Sequence, residues 1–194
     1  MIEKIKKLLR SKVGSKRYNH SLCVAKEAKN LANHYKRDAS KAELAGLLHD
    51  ITKEFTEEEH MELFKRHNVN LNKIELKTKK LWHAISAPLY IKDELNILDE
   101  DVLNAIRYHT TGRENMGYLE KIIFLADFIS EDRFFEFSGV KLAKDIAYKN
   151  LDEGVLHELS YSITVLISKE SPVSLESVRA YNYYLINLRE DSGK

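Results

Sequence analysis

The chain has 194 residues, 43% hydrophobic and 31% charged, enough apolar material for one globular core. With 31 basic and 30 acidic residues the net charge is only +1, which disfavours a dedicated nucleic-acid binder or a polybasic membrane protein. Only 7 Gly and 2 Pro exclude a β-sandwich or a Pro-rich linker, and 1 Cys excludes a disulfide framework or a Cys-rich zinc site. The expected class is all-α, in a reducing, cytoplasmic setting, with no apolar run long enough for a membrane span.

Apolar residues at helical spacing set the expected elements. Ile2, Ile5, Leu8 and Leu9 mark a short amphipathic helix over residues 1–14, a stretch that belongs to the basic segment 1–17, which carries seven Lys or Arg against Glu3 alone. A second helix runs from about Ser15 to Tyr35, with Leu22, Ala25, Ala28, Leu31 and Ala32 inward. Ser40, with Glu43 three residues on, predicts a capped third helix carrying Leu44, Leu47, Leu48 and Ile51. Thr56 starts a fourth helix, residues 70–82 are ambiguous, and a helix containing Pro88 reaches about Leu95. Asp99 caps the next helix, and another spans about Tyr118 to Ile129. Val140 to Ser168 reads as one long helix, and Ser174 caps a last one to about Leu188. Together these make a single domain over 1–194 with its core at about 15–190. The Lys-rich stretch 73–80 reads as a solvated helix face.

Chemistry concentrates at His49-Asp50, an adjacent pair flanked by Leu47-Leu48 and Ile51 and expected in the middle of a buried helix. A buried Asp is costly unless paired or metal-bound, and a simple His–Asp hydrogen bond is the bland reading of the dipeptide alone. The rest of the chain shifts that balance. His20, His83 and His109 lie on or beside apolar helices, and Asp127 follows Ile122-Ile123-Phe124-Leu125-Ala126. Asp127 stands near a helix C-terminus, where the macrodipole disfavours a carboxylate and a cation would offset the cost. Four imidazoles and two carboxylates suit a two-metal site for iron, manganese, zinc, cobalt or nickel. Lys53, one helical turn after His49, and Arg113 and Arg133 are candidate phosphate ligands, as are the hydroxyls of Thr110 and Thr111; each is also an ordinary surface residue on the bland reading. Tyr18 and Tyr108 read as packing residues. His34, His60, His67 and His157 read as exposed, and Cys23 as a small buried residue.

The order His, His-Asp, His, His, Asp resembles the HD-domain metal-dependent phosphohydrolases. Three stretches sharpen the likeness: Arg17-Tyr18-Asn19-His20-Ser21-Leu22, His49-Asp50-Ile51-Thr52-Lys53, and Ile106-Arg107-Tyr108-His109-Thr110-Thr111-Gly112-Arg113 leading to Leu119-Glu120-Lys121 and Asp127. The whole resembles the bacterial HD-domain symmetrical dinucleoside tetraphosphatases, the YqeK family, from about Tyr18 to Tyr184. The resemblance implies an HD-domain helical bundle with a dinuclear metal site in its core. It implies a hydrolase that cuts diadenosine tetraphosphate into two ADP by attack of a metal-bridging hydroxide on an inner phosphorus. By that pattern His20, His49, Asp50 and Asp127 hold one metal, and Asp50 bridges to a second held by His83 and His109. The metals would be iron foremost, with manganese, cobalt, nickel or zinc as alternatives. Asp50, Lys53 and Arg133 would be catalytic, and Lys53, Thr110, Thr111, Arg113 and Arg133 substrate-binding. The partner would be a dinucleoside polyphosphate, with no membrane, nucleic acid disfavoured and a homodimer compatible. Two places depart from the family pattern: Ser130-Glu131 where Glu-Pro is usual, and a longer segment at 134–139. The competing readings are an HD hydrolase for another nucleotide and a non-catalytic metal- or nucleotide-binding regulator.

Overall fold

The computed structural model describes residues 2–133 and 139–193. The longer segment noted above falls largely on residues 134–138, outside the described residues. Among the described residues there are eleven α-helices and no strands: α1 (Ile2–Lys12), α2 (Ser15–His34), α3 (Ala39–Leu48), α4 (Glu57–Arg66), α5 (Lys73–Lys77), α6 (Trp82–Leu95), α7 (Glu100–Tyr108), α8 (Tyr118–Ile129), α9 (Val140–Lys149), α10 (Leu151–Ser168) and α11 (Leu175–Ser192). Short 3₁₀ turns cover Lys79–Leu81 and Glu131–Arg133. No helix among the described residues is long and apolar enough to cross a membrane.

Local chemistry sets most helix ends. Thr56 and Glu59 form a reciprocal capping box at α4, with Thr56 Oγ1 accepting from Glu59 N at 3.2 Å and Glu59 Oε2 accepting from Thr56 N at 2.7 Å. Asp99 caps α7 and Ser174 caps α11, as the sequence predicts. Asn96, at φ 51°, closes α6 in the left-handed region that Asn tolerates.

Three predictions need correction, and one ambiguous stretch is resolved. The cap of α3 is Asp38, whose Oδ1 accepts from Ser40 N and Lys41 N at 2.9 and 3.0 Å, so Ser40 lies inside the helix. The long helix over 140–168 is two helices, broken at Asn150. That residue is extended (φ −152°, ψ 120°), and its side chain accepts from Asp152 N and Glu153 N to start α10. The ambiguous stretch 70–82 resolves into α5 and a 3₁₀ turn, with the lysines of 73–80 exposed. The last helix continues past Leu188 to Ser192.

The core is organised around α8. Ile122, Ile123, Phe124, Leu125, Ala126 and Ile129 are all at most 1% exposed, because α2, α7 and α10 enclose that helix. Each of the large side chains contributes about 1.5–3 kcal/mol by burial. Helix α3 packs on α2, α7 and α8, and α1 docks through Ile5 and Leu9. A smaller cluster of Phe64, Trp82 and Ile85 joins α4 to α6. The helices α2, α3, α6, α7 and α8 thus converge on one point, and each delivers a His or Asp to it.

Candidate metal centre

Close helix approach builds the site. A Cβ on Gly46 would lie 2.7 Å from Ala25 Cα, so only glycine lets α3 sit this tightly on α2. That contact brings the His20 and His49 rings to 5.3 Å. The sequence predicts His49 and Asp50 in mid-helix, and the structure places them outside it. Helix α3 ends at Leu48, His49 is its C-cap, and Asp50 lies in the following turn. His109 likewise caps α7, and Gly112 at φ +62° turns the chain away behind it.

One device orients three of the four imidazoles. His49 Nδ1 donates to Gly46 O at 2.8 Å, His83 Nδ1 to Lys80 O at 2.8 Å, and His109 Nδ1 to Ile106 O at 2.7 Å. Each bond leaves Nε2 as an acceptor nitrogen at the centre, and that of His49 has no partner. For His20, Nδ1 is held by Asp132 Oδ2 at 2.7 Å and Nε2 faces Asp127 Oδ1 at 2.9 Å.

The ligand atoms crowd together. His83 Nε2 lies 3.1 Å from His109 Nε2 and 3.2 Å from Asp50 Oδ1. His109 Nε2 is 3.7 Å from the same oxygen, and His49 Nε2 is 3.5 Å from Asp50 Oδ2. The donor sets His20–His49–Asp50, His49–His109–Asp127 and Asp50–His83–His109 each gather their ligand atoms within 4.8 Å. Asp50 belongs to two of them, one through each side of the cluster. Two neutral imidazoles cannot hydrogen-bond through facing lone pairs. His49 Nε2 and Asp50 Oδ1 are also buried with no hydrogen-bond partner. A buried orphan of this kind is costly, and divalent cations bound at the cluster would satisfy both atoms.

Protonation agrees with that use at His49, His83 and the two carboxylates, while at His20 the hydrogen bond and charge of Asp127 outweigh burial and raise the imidazole. Burial pushes the His49 imidazole down to about 4, against the pull of Asp50 and Asp127. Burial and the Lys53 charge drive His83 well below its ordinary value. Burial alone would raise the Asp50 carboxyl, but the neighbouring His49 and His109 and the Lys53 charge hold it well below the usual range. Asp127 is held low in the same way, by His20, His49 and Arg133 against its burial. Neutral imidazoles beside ionised carboxylates are the metal-binding forms. The Asp127 side chain keeps 22% exposure, so it is less buried than its apolar run suggests.

Comparison with known proteins agrees with this arrangement. The family model described as HD domain matches residues 17–132. The chain belongs to the HD-domain family. A relative from Halalkalibacterium halodurans, named bis(5'-nucleosyl)-tetraphosphatase, symmetrical, is 39% identical over 88% of this chain and 89% of its own. One from Staphylococcus aureus with the same name is 37% identical over 94% of each chain. A crystal structure from Clostridium acetobutylicum, described as a predicted HD superfamily hydrolase involved in NAD metabolism, superposes with a TM-score of 0.92 at 36% identity. It covers 96% of this chain and 98% of that one.

The HD centre opens into a cavity of about 390 Å³ lined in part by Lys53, His109, Thr110, Asp127, Arg133 and Glu158. Lys53 does not share a helix face with His49, because α3 has ended; the turn at 49–54 carries it there instead. Its Nζ lies 2.9 Å from His83 Nε2 and 3.7 Å from Asp50 Oδ1, and burial lowers its pKa. Arg133 donates through Nε to Asp127 O at 3.2 Å and through Nη2 to Asp127 Oδ1 at 3.0 Å. Thr110 Oγ1 is 3.0 Å from His109 Nε2, whereas Thr111 is buried and its hydroxyl donates to Gly112 O. Arg113 is placed elsewhere. It forms a two-bond pair with Glu120, at 2.6 and 3.0 Å, and lines a separate pocket with Arg37 and Tyr118.

Three groups at the centre escaped the sequence reading. Arg17 Nη1 donates to Asp50 Oδ2 at 2.6 Å; its place three residues before His20, on the same face of α2, is the signal that could have found it. Asp132 holds His20, and nothing in the spacing marks it. Glu158, 8% exposed on α10, has burial and Asp127 raising its carboxyl well above the ordinary value, with Arg133 opposing. A glutamate beside Val155 and Leu159 on a buried face is the available signal. Among the other histidines, His34 is exposed, and His67 and His157 are half-buried. His60 is buried, contrary to expectation, with Nδ1 2.8 Å from Ser86 Oγ and its ring against Phe64 and Trp82. Cys23 is half-buried.

Proposed function

We propose that this HD domain cuts diadenosine tetraphosphate symmetrically into two ADP, using two divalent metals, iron foremost. The observation that carries the metal half of this reading is the pair of orphaned buried atoms, His49 Nε2 and Asp50 Oδ1, at the meeting of three donor sets. The substrate half rests on relatives named as symmetrical bis(5'-nucleosyl)-tetraphosphatases that align over almost the whole chain.

His20, His49, Asp50 and Asp127 would hold one metal, and Asp50, His83 and His109 the other. When bound, such ions supply an activated water and neutralise charge on the reacting phosphate. The chain's own groups do the rest. Lys53 stands at the His83 side of the cluster and Arg133 at the Asp127 side. Cations at opposite ends of the cluster would draw an anionic chain across its middle, and Thr110 adds a hydroxyl donor between them. A chain held at its middle breaks into equal halves. Arg17, through Asp50, and Asp132, through His20, fix the carboxylate and imidazole that the metals need.

The test is metal content and turnover of the Asp50→Ala variant beside wild type. Wild type should carry close to two transition metals per chain, and the variant should lose both metal and activity. Metal-free wild type that iron or manganese fails to activate, or wild-type turnover by the variant, would contradict the assignment.

A further inference from the structure

The cavity beside the centre holds a group that metal binding and phosphate binding leave unused. Glu158 is 8% exposed, lines the cavity, and has Oε2 buried without a hydrogen-bond partner. Thr78 Oγ1, in the same lining, is also buried and unpartnered. A leucine at 158 would complete the apolar wall; a carboxyl there leaves a costly unsatisfied atom unless a ligand completes it.

The ligand chemistry follows from the position. Lys53 and Arg133 bring positive charge to this lining, whereas the Glu158 carboxyl, raised by burial and Asp127, gives an anion no charge to bind, so the phosphate chain belongs nearer Lys53 and Arg133. Along α10, one face runs from Glu158 through Tyr161 and Val165 to Leu166, about 12 Å of helix. Leu81 and Pro172 line the same cavity. An aromatic base suits the far end, and the group between phosphate and base is the sugar, whose hydroxyls are donors. We propose that Glu158 binds a ribose hydroxyl of the nucleotide and makes this enzyme select ribonucleotides over deoxyribonucleotides. The inference rests on the nucleotide reading given above, and it concerns binding rather than cleavage.

The experiment measures Kd on the metal-loaded protein for ADP, 2'-deoxy-ADP, 3'-deoxy-ADP and inosine diphosphate, alongside turnover of diadenosine tetraphosphate. Wild type should bind at least one deoxy ligand about tenfold or more weakly than ADP. Glu158→Gln, which can still accept from a hydroxyl, should keep part of that preference, and Glu158→Leu should abolish it. Glu158→Leu should also melt at a higher temperature, since it removes an unsatisfied buried carboxyl, so loss of preference could not be laid to unfolding. Equal binding of ADP and both deoxy ligands by wild type, or an undiminished preference in Glu158→Leu, overturns the proposal. A Glu158 effect confined to ADP against inosine diphosphate overturns it too, by assigning the carboxyl to the base. Absent turnover of the tetraphosphate would count against the symmetrical-hydrolase reading alone, because the Kd comparison stands without it.

Discussion

At the scale of single residues, the groups that would hold metal are distinct from those that would handle substrate. Lys53 and Arg133 touch the ligands only from the cavity side, so Lys53→Ala and Arg133→Ala should retain metal yet lower turnover by about ten- to a thousandfold each. Unchanged kinetics in both would return them to the ordinary surface. His34→Ala is the matched control. It should leave metal and turnover intact and cost about 1 kcal/mol, because His34 Nε2 bonds Tyr148 O at 2.8 Å. His60 gives a pH signature. Burial lowers its pKa, so the unfolded chain takes up the proton first. Its contribution to stability is therefore complete above the unfolded value of about 6.5 and is lost as pH falls below it. Denaturant unfolding at pH 7.5 and 5.5 should show a steeper loss in wild type than in His60→Phe, and equal losses would refute the assignment. The clustering of the six candidate ligands was legible because each His or Asp interrupts or borders an apolar helix. Arg17, Asp132 and Glu158 were not, because the partners that give them meaning lie 33 to 112 residues away or across a cavity. His60 misled because Glu57, Glu58 and Glu59 precede it, while its own phase of α4 faces Trp82.

At the scale of elements, the packing of α2 on α3 sets the spacing of His20 and His49. Gly46→Ala should push the two helices apart, since the added Cβ meets the Ala25 backbone rather than a movable side chain. The expected cost is about 1–3 kcal/mol in unfolding experiments, with weaker metal binding alongside. Normal stability together with full metal content would show that the close approach is not needed. Helix starts at Thr56, Asp99 and Ser174 were readable because a cap is a local event within three or four residues. The break at Asn150 was not, because Ala143, Ile146 and Ala147 before it and Leu151, Val155 and Leu159 after it continue one apolar stripe. Only Asn150 followed by Asp152-Glu153 marks the new helix start. The same lack of a local mark hid the end of α3. Apolar spacing carries on through Ile51, yet the helix stops at Leu48, and that stop lets His49, Asp50 and Lys53 all reach the centre.

At the scale of the whole molecule, five helices meet at one cluster of lone pairs and carboxylates, and α10 walls the cavity beside it. The all-α class followed from the scarcity of Gly and Pro, and the HD likeness from the run Arg107 to Asp127. The cavity was not readable, because α10 and the 172–177 stretch complete its lining and carry none of the six candidate ligands. The central claim is that the phosphate chain is gripped across its middle, between Lys53 and Arg133. The most direct measurement is separation of the early products of diadenosine tetraphosphate by ion-exchange chromatography. ADP as the sole nucleotide product is the predicted result; ATP and AMP in equal amounts would contradict it.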